Sequence, residues 1–364
     1  MKKILILSAN LGQGHMSAAG SVKQAIEHLY GTTAYDVEIV DLMELLNRTI
    51  NRVSQKTYNS LSRSAPIICQ LLFESWDNRW RLKMLNRINY PLVLKKVKKF
   101  INEKQPDLVV STFPLWDYLM RTMLKKYNPS VKFISIITDS INIHKSWVIS
   151  DPDEQIVPNK ETAEAIKKLG FDEKKIRILG FPVKLDFLKP IDKKAFLDEN
   201  GLSSDRFTIL FLPTAQKVSK NIKIIEELIG NFPKCNIIVI TGRDRESESK
   251  LRPYGLYENV KIIGWTDKMP AYIMASDIVL TKSGGATVME CIAAAKPMII
   301  TSTIAGWEQG NAELIRQNKL GIVEPKRNQN ISKSIQTIQK SYKMYQKNLK
   351  KISNPGAALA IAKT

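Results

Sequence analysis

The chain has 364 residues, enough for two domains that each bury a core of their own. Hydrophobic residues make up 44% and charged residues 25%, as in ordinary globular proteins, and no apolar run approaches the roughly 18 residues of a membrane span. The formal net charge of +20 favours a polyanionic partner, either nucleic acid or an anionic lipid surface.

The cysteines and the start of the chain indicate the compartment. Cys69, Cys235 and Cys291 are far apart and without CxxC spacing, which predicts neither a disulfide framework nor a zinc site. The first residues lack the cleavage region of a signal peptide. We therefore expect a protein of the cytoplasm.

The first half of the chain alternates short apolar runs with helical patterns, which is typical of a parallel sheet covered by helices. The predicted strands are residues 4–7, 37–40, 108–111, 133–138 and 175–179.

A basic segment, residues 47–104, interrupts this alternation. It holds thirteen Lys and Arg against three acidic residues. Apolar and aromatic side chains lie among the cations, including Trp76, Arg79, Trp80 and Arg81. Such mixing is typical of a helix lying on a bilayer surface, although apolar residues packed into a core would give a similar pattern.

A second alternating set follows a Lys- and Pro-bearing stretch. Its predicted strands are residues 208–212, 235–241, 260–263, 278–281 and 297–301. Two such sets predict two doubly wound α/β domains facing across a cleft, namely residues 1–183 and 193–330 joined by a linker at 184–192. Residues 331–364, which are basic and without an acidic residue, are expected to form a helix that returns to the first domain. Their positive charge is equally consistent with a polyanion-binding surface and with an ordinary solvated surface.

The loop after the first predicted strand contains Gly12, Gly14 and then His15. Glycines allow a tight turn and close approach of the backbone to a ligand, and the helix that follows offers free N–H groups. Because Ser17 occupies the third glycine position, the GxGxxG dinucleotide pattern is incomplete. His15 is the candidate general base, since a neutral imidazole can accept a proton from a hydroxyl; a structural role within the loop is the alternative.

The strand predicted at 278–281 leads into Ser283-Gly284-Gly285, which opens a helix and predicts a phosphate site. Glu290 lies about two turns into this helix, where its carboxylate could accept hydrogen bonds from the hydroxyls of a ribose. Glu308 and Asn311 are three residues apart, so they would share one helical face and could hydrogen-bond one hexose.

These motifs together resemble a known family. They are Asn10-x-Gly-x-Gly-His15, Thr138-Asp-x-x-x-x-His144-x-x-Trp147, Gly180-x-Pro-Val183, Gly264-Trp265, Thr281-Lys-x-Gly-Gly-x-Thr287 with Glu290, and Gly306-x-Glu-x-x-Asn311. The set is similar to bacterial processive diacylglycerol glucosyltransferases and plant monogalactosyldiacylglycerol synthases of glycosyltransferase family 28. A more distant similarity is to the peptidoglycan enzyme that transfers N-acetylglucosamine to a lipid intermediate.

The resemblance implies a GT-B fold and an inverting transfer of a hexose from a UDP-sugar to diacylglycerol or a glycosyl-diacylglycerol, without a metal or other cofactor. It implies His15 as base, with Asp139 as competitor or helper, and His144 and Trp147 at the acceptor or membrane side. The residues expected at the donor are Gly14, Thr214, Gln216, Lys217, Trp265, Lys282, Ser283, Gly284, Gly285, Thr287, Glu290, Gly306, Glu308, Gln309 and Asn311. Thr214, Gln216 and Lys217 stand where relatives carry a glycine-rich loop. Because of this difference, the resemblance does not identify which sugar the donor carries.

The expected partners are a UDP-sugar, a diacylglycerol-type lipid and an anionic membrane surface, with the enzyme peripheral on the cytoplasmic side of the cell membrane. A transferase of the UDP-N-acetylglucosamine type acting on a polyprenyl-linked or other acceptor is one alternative. A UDP-sugar epimerase would share the architecture without needing the basic segment. A nucleic-acid-binding protein is the alternative from another class, and only the positive charge supports it. No RRM, KH or helix-turn-helix pattern is present, so no nucleic acid is expected as a partner.

Overall fold

The computed structural model describes residues 1–10, 14–46, 57, 71, 75, 77–78, 95–214, 218–303, 306, 308–325 and 329–364. The contacts divide the chain into two units: residues 1–185 with 304–310 and 356–364, and residues 186–303 with 311–355. Within the described residues, no helix is both long and apolar enough to cross a bilayer.

The first unit is built on a six-stranded parallel sheet of order β2-β1-β3-β4-β5-β6. Its strands are β1 (Lys2–Ser8), β2 (Tyr35–Asp41), β3 (Leu108–Ser111), β4 (Lys132–Ile136), β5 (Glu154–Val157) and β6 (Ile176–Ile178). Its helices before the second unit are α1 (Gly14–Ala34), α2 (Leu42–Leu46), α3 (Pro114–Tyr127) and α4 (Lys160–Lys168), and residues 95–104 are also helical.

Alternate residues of β1 enter two different cores, which explains why its sequence is apolar throughout. Leu5 and Leu7 pack with α3, whereas Ile4 and Ile6 pack with α1. A sheet covered on both faces leaves its strand ends as the places where polar side chains can be presented.

The second unit contains another six-stranded parallel sheet, of order β12-β11-β10-β7-β8-β9. Its strands are β7 (Thr208–Phe211), β8 (Asn236–Ile240), β9 (Val260–Ile263), β10 (Ile278–Lys282), β11 (Met298–Ser302) and β12 (Gly321–Val323). Its helices are α5 (Lys193–Glu199), α6 (Val218–Asn231), α7 (Arg245–Leu251), α8 (Met269–Ala275), α9 (Gly285–Ala293), α10 (Gln309–Gln317), α11 (Ile331–Lys340) and α12 (Tyr342–Ile352). The contact division passes through the first turn of α10.

Each strand expected from the sequence is present, and two further strands were not predicted. β5 carries the polar residues Glu154 and Gln155 within its four residues, and β12 has only three residues. Runs this short or this polar do not stand out as apolar segments.

The segment expected as one returning helix, residues 331–364, is instead three helices. α11 and α12 belong to the second unit, where Ile335, Ile338 and Tyr345 enter its core. α13 (Ala357–Ala362) alone belongs to the first unit, where Ile361 packs with β1 and α1. Pro355 and Gly356 separate the two parts, since neither residue favours continuation of a helix.

Candidate active site

The first cluster of candidate residues lies at the carboxyl edge of the first sheet. β1 pairs with β3 and β3 pairs with β4, so the segments that follow these three strands are neighbours. His15 follows β1, Thr112 follows β3, and Thr138 and Asp139 follow β4. Carboxyl ends of adjacent parallel strands are where doubly wound folds bind ligands.

The hydrogen bonds of His15 define which ring nitrogen carries the proton. Nδ1 lies 2.8 Å from the backbone carbonyl oxygen of Thr112 and 2.8 Å from Oγ1 of Thr138. A carbonyl oxygen can only accept, so Nδ1 is the protonated nitrogen. The other nitrogen, Nε2, therefore keeps its lone pair in the neutral ring and is able to accept a proton.

The surroundings of His15 hold it in the neutral form. Burial lowers the pKa of His15, while the charge of Asp139 and the Thr112 carbonyl act in the opposite direction. The ring meets Phe113 edge-on, with centroids 5.0 Å apart. Because the ordinary pKa of histidine is about 6.5, His15 is neutral at pH 7 and fit to act as a base.

Asp139 is held by Trp147, whose indole Nε1 donates to its Oδ2 over 2.7 Å. Burial raises the pKa of Asp139, and His15, the indole N–H and His144 oppose that rise. Trp147 itself is fully buried. A fully buried side chain does not lie in a bilayer, and the contact observed for Trp147 is its hydrogen bond to Asp139; a contact with the acceptor stays a prediction.

His144, also expected near the acceptor, is buried and bonded within its own turn. Its Nδ1 accepts from the backbone N–H of Ser146 over 3.2 Å, which leaves the proton of the neutral ring on Nε2. That nitrogen lies 3.8 Å from Oδ1 of Asp77. Asp77 also accepts from the backbone N–H of Lys145 over 2.7 Å, so this turn is anchored to a residue of the basic segment.

The second cluster lies where β10 ends and α9 begins. Ser283 is buried, its backbone N–H donates to the carbonyl of Ser302 over 3.0 Å, and its own carbonyl accepts from Nδ2 of Asn311 over 3.0 Å. Gly284 is the N-cap residue of α9, and no side-chain hydrogen bond caps the helix there. The first N–H groups of α9 are thus available to an anion, as a helix N-terminus favours.

Other predicted donor residues surround this helix start in the second unit. Gly285, Thr287 and Glu290 lie on α9 with partial exposure, and Lys282 is the last residue of β10. Asn311 is 1% exposed, and its Oδ1 is buried without a hydrogen-bond partner. Since buried amide oxygens are nearly always bonded, this atom is suited to accept from a ligand hydroxyl.

Further predicted donor residues lie in neighbouring loops. Thr214, after β7, is buried and its carbonyl accepts from Nδ2 of Asn221 over 3.1 Å. Trp265, after β9, is 61% exposed and lies under the guanidinium of Arg243 at 5.6 Å. Its exposed ring and backbone are open to a planar base.

The residues before α10 belong by contacts to the first unit. The carbonyl of Gly306 accepts from Nδ2 of Asn142 over 3.0 Å, and Glu308 is buried. Gln309 is the first residue of α10 and is exposed, and Gly14 is the first residue of α1. Trp76, Arg79, Trp80, Arg81, Gln216 and Lys217 lie outside the described residues.

Three residues of these clusters were given no role from the sequence: Thr112, Asn142 and Thr138, although Thr138 is part of a quoted motif. Thr112 and Thr138 contact His15, and the hydroxyl of Thr112 also donates to the backbone carbonyl of His15 over 3.1 Å. Thr112 directly follows one predicted strand and Thr138 ends another, and these positions at strand ends are the signal that would have given them a role. For Asn142 the sequence offers no comparable signal.

The two units match two different family models. Residues 15–183 match the monogalactosyldiacylglycerol (MGDG) synthase model, and residues 212–363 match the glycosyltransferase family 28 C-terminal domain. The division between the models agrees with the division between the two sheets.

Curated relatives cover most of the chain. The processive diacylglycerol beta-glucosyltransferase of Staphylococcus carnosus is 28% identical over 324 residues, 88% of this chain and 80% of the relative. The enzyme of the same name from Bacillus licheniformis is 24% identical over 356 residues, 96% of this chain and 91% of the relative.

Solved structures share the fold at low identity. A complex of Anabaena HepE with UDP-glucose gives a TM-score of 0.54 at 14% identity and covers 100% of this chain and 95% of its own. An MnaA–UDP structure from Staphylococcus aureus gives 0.60 at 12% identity, covering 99% and 95%.

The two parallel sheets, together with the matches to the MGDG synthase and family 28 models, identify a glycosyltransferase of the GT-B fold, as the resemblance implied. Within that class, the chain combines a part that matches the MGDG synthase model with a part that matches the glycosyltransferase family 28 C-terminal domain.

Proposed function

We propose that this glycosyltransferase moves a hexose from a UDP-sugar to the free hydroxyl of diacylglycerol, or of a glycosyl-diacylglycerol, with inversion at the anomeric carbon. The relatives named above are diacylglycerol beta-glucosyltransferases, and the first unit matches the MGDG synthase model. The observation that carries the mechanism is the hydrogen bond from His15 Nδ1 to the Thr112 carbonyl.

In the proposed reaction, Nε2 of His15 takes the proton of the acceptor hydroxyl. The acceptor oxygen then forms its bond to the anomeric carbon as the bond from that carbon to the UDP oxygen breaks on the opposite face. The imidazolium that results is stabilised by the neighbouring carboxylate of Asp139, which interacts electrostatically with His15. A base positioned in this way contributes about 10²- to 10⁴-fold to a rate.

On the donor side, the leaving diphosphate is proposed to bind the first N–H groups of α9, where the helix dipole favours negative charge. The diphosphate would be surrounded by Ser283, Gly284, Gly285 and Thr287. Glu290 would accept hydrogen bonds from the ribose hydroxyls. The buried, unpartnered Oδ1 of Asn311 supports a contact to a sugar hydroxyl. Fixed backbone donors of this kind do the work that a metal ion does elsewhere, so we propose that no metal is required.

The enzyme is further proposed to work as a peripheral protein on the cytoplasmic side of an anionic membrane, because its acceptor stays in the bilayer. The basic segment at residues 47–104 supports this proposal through its excess of thirteen cations over three acids. Each such cation near an anionic leaflet contributes about 1 kcal/mol and loses that contribution beyond a Debye length.

The test is transfer of labelled hexose from UDP-glucose and, separately, UDP-galactose to diacylglycerol in anionic liposomes, with and without a chelator. Lipid-soluble label that is indifferent to the chelator is the expected result, and the donor that gives it identifies the sugar. UDP binding without label from either donor would reject diacylglycerol as acceptor. Transfer to a polyprenyl-linked acceptor from UDP-N-acetylglucosamine would then favour that other acceptor class.

A further inference from the structure

Helix α12 of the second unit has one face made of lysines. Lys343, Lys347, Lys350 and Lys351 are all exposed, whereas Tyr345 and Leu349 are buried. With 3.6 residues per turn, the four lysines lie within about 100° around the helix axis, opposite the buried pair. The helix therefore packs through one side and presents four like charges on the other.

Nothing nearby along the chain balances this charge. Residues 326–364 contain no Asp or Glu. Helices α6 and α7 of the same unit mix the two signs instead, and Arg252 pairs with Glu248 at 2.8 Å. A concentrated positive face of this kind attracts a polyanion.

The lysine face also borders a depression that is largely open to solvent. Lys343, Gln346, Lys347, Lys350 and Lys351 line a shallow groove of about 490 Å³. Groups that bear a phosphate can enter it and meet several ammonium groups at once. An apolar side chain stands beside the lysines, since Met344 is 43% exposed and lies next to Lys351 around the helix axis.

The tyrosines of α12 decide between two kinds of polyanion. Proteins that bind single-stranded nucleic acid commonly stack bases on aromatic side chains. Tyr345 is 8% exposed, and Tyr342 packs edge-on against Phe207 with its hydroxyl donating to the carbonyl of Asp277. The exposed apolar groups are aliphatic, and lysines beside such groups are typical of a surface that lies on lipid headgroups.

We propose that α12 is a contact surface for an anionic phospholipid membrane, with lipid phosphates bound between Lys343, Lys347 and Lys350. The proposal rests on the proposed function, in which the acceptor lies in a membrane. It adds a membrane contact in the unit that matches the family 28 C-terminal domain, separate from the basic segment of the first unit.

The experiment compares wild type with the triple variant Lys343→Gln, Lys347→Gln and Lys350→Gln in co-sedimentation with vesicles. One set of vesicles contains phosphatidylcholine alone, and the other contains phosphatidylcholine with phosphatidylglycerol. Loss of three cations is expected to weaken partition onto the phosphatidylglycerol vesicles by about 10- to 100-fold. Because these side chains are exposed, the folded structure should persist, and an unchanged melting temperature would verify it.

Two matched controls isolate the position of the charges from their number. The variant Lys223→Gln, Lys234→Gln and Lys250→Gln removes three other exposed lysines of the same unit and is expected to bind within about threefold of wild type, since charges away from the surface are screened. The variant Lys343→Arg, Lys347→Arg and Lys350→Arg keeps the charge and should bind like wild type.

The proposal is overturned if the α12 variant sediments like wild type, or if the control variant loses as much binding. Equal binding of wild type to both kinds of vesicle would also overturn it. So would retention of DNA that depends on these lysines while vesicle binding does not. Two measurements separate the two proposals: absence of transfer by wild type in the anionic liposomes of the first test counts against the proposed function, whereas the vesicle co-sedimentation alone decides the role of α12.

Discussion

The two candidate clusters differ in what they are made of. Around His15 the chemistry belongs to side chains, because an imidazole, a carboxylate and an indole are joined by hydrogen bonds and charge. At the start of α9 the donors are mainly backbone N–H groups presented by Gly284 and Gly285. Replacing side chains should therefore damage the first cluster more than the second, and the first three of the four predictions below test that difference.

The largest effect is expected from His15→Ala, which removes the proton acceptor. Transfer should fall by about 10²- to 10⁴-fold, while UDP binding stays within about twofold, because the donor site is in the other unit. Initial rates and UDP titration measure the two quantities. The matched control is His28→Ala, an exposed histidine of the same helix. Transfer that survives in His15→Ala would assign the histidine a structural role.

Asp139→Asn should lower kcat by about 10- to 100-fold through loss of the charge that stabilises the imidazolium. The variant keeps an acceptor for the Trp147 indole. The pH profile of kcat/KM tests the direction in which the pKa of His15 shifts. The Asp139 charge raises the pKa of His15, so its removal lowers that pKa, and the acid limb of kcat/KM should move to lower pH.

Complete loss of transfer in Asp139→Asn together with an active His15→Ala variant would reverse the assignment and make Asp139 the base. An acid limb that moves to higher pH would contradict the electrostatic coupling of the two side chains. The two variants thus answer the question of which group accepts the proton.

Glu290→Ala tests the donor cluster at its main charged side chain. Its contact with the ribose hydroxyls would be a pair of charge-assisted hydrogen bonds, so UDP affinity should fall by about 10- to 100-fold. Some binding should remain, because the backbone N–H groups of α9 are untouched. Glu246→Ala, an exposed position on α7, is the control. UDP affinity unchanged in Glu290→Ala would remove the ribose contact from the proposed site.

The smallest effect concerns stability and a side chain to which no role in the reaction is assigned. Asp117 on α3 is fully buried, accepts from Oγ of Ser135 over 2.6 Å, and has its other oxygen unpartnered. Burial raises the pKa of Asp117 to about 7. An unfolded chain ionises this carboxyl near pH 4, so between about pH 4 and pH 7 the folded state binds more protons and stability falls as pH rises.

In the Asp117→Asn variant, a neutral amide replaces the carboxyl group. The loss of folding stability that accompanies rising pH should therefore be absent. We expect its melting temperature to exceed that of wild type by roughly 3–10 °C at pH 8, with the gap closing toward pH 4. Scanning calorimetry across that range measures it, and Asp36→Asn, at an exposed position of β2, should show no such trend. A gap that is constant with pH would mean that Asp117 ionises normally.

The sequence predicted most of this architecture because its strands are buried on both faces. Residues such as Ile4–Leu7 are apolar without interruption, which is easy to recognise. His15 and Ser283–Gly285 were found because glycines and polar residues directly follow such strands. Contacts between distant segments were harder to foresee: nothing local to Trp147 indicates that it holds Asp139, and Thr112 could be placed beside His15 only through the order of the strands.

The fold of the C-terminal segment also could not be predicted from local sequence pattern. Its basic, helical character was visible in the sequence, but its division at Pro355 and Gly356 between two cores depends on tertiary packing. Amphipathic pattern reports that a helix has an apolar face and does not report which core will receive it.

Helix α13 bears on how the protein folds during synthesis. Ala358 packs with Ala25 and Leu185, and Ile361 packs with Ile4 and Ile6. The first unit therefore lacks part of its core until residues 357–362 have left the ribosome, although its strands are made early. A nascent chain would expose apolar surface on α1 throughout translation of the second unit, which gives chaperones a defined site and period in which to bind.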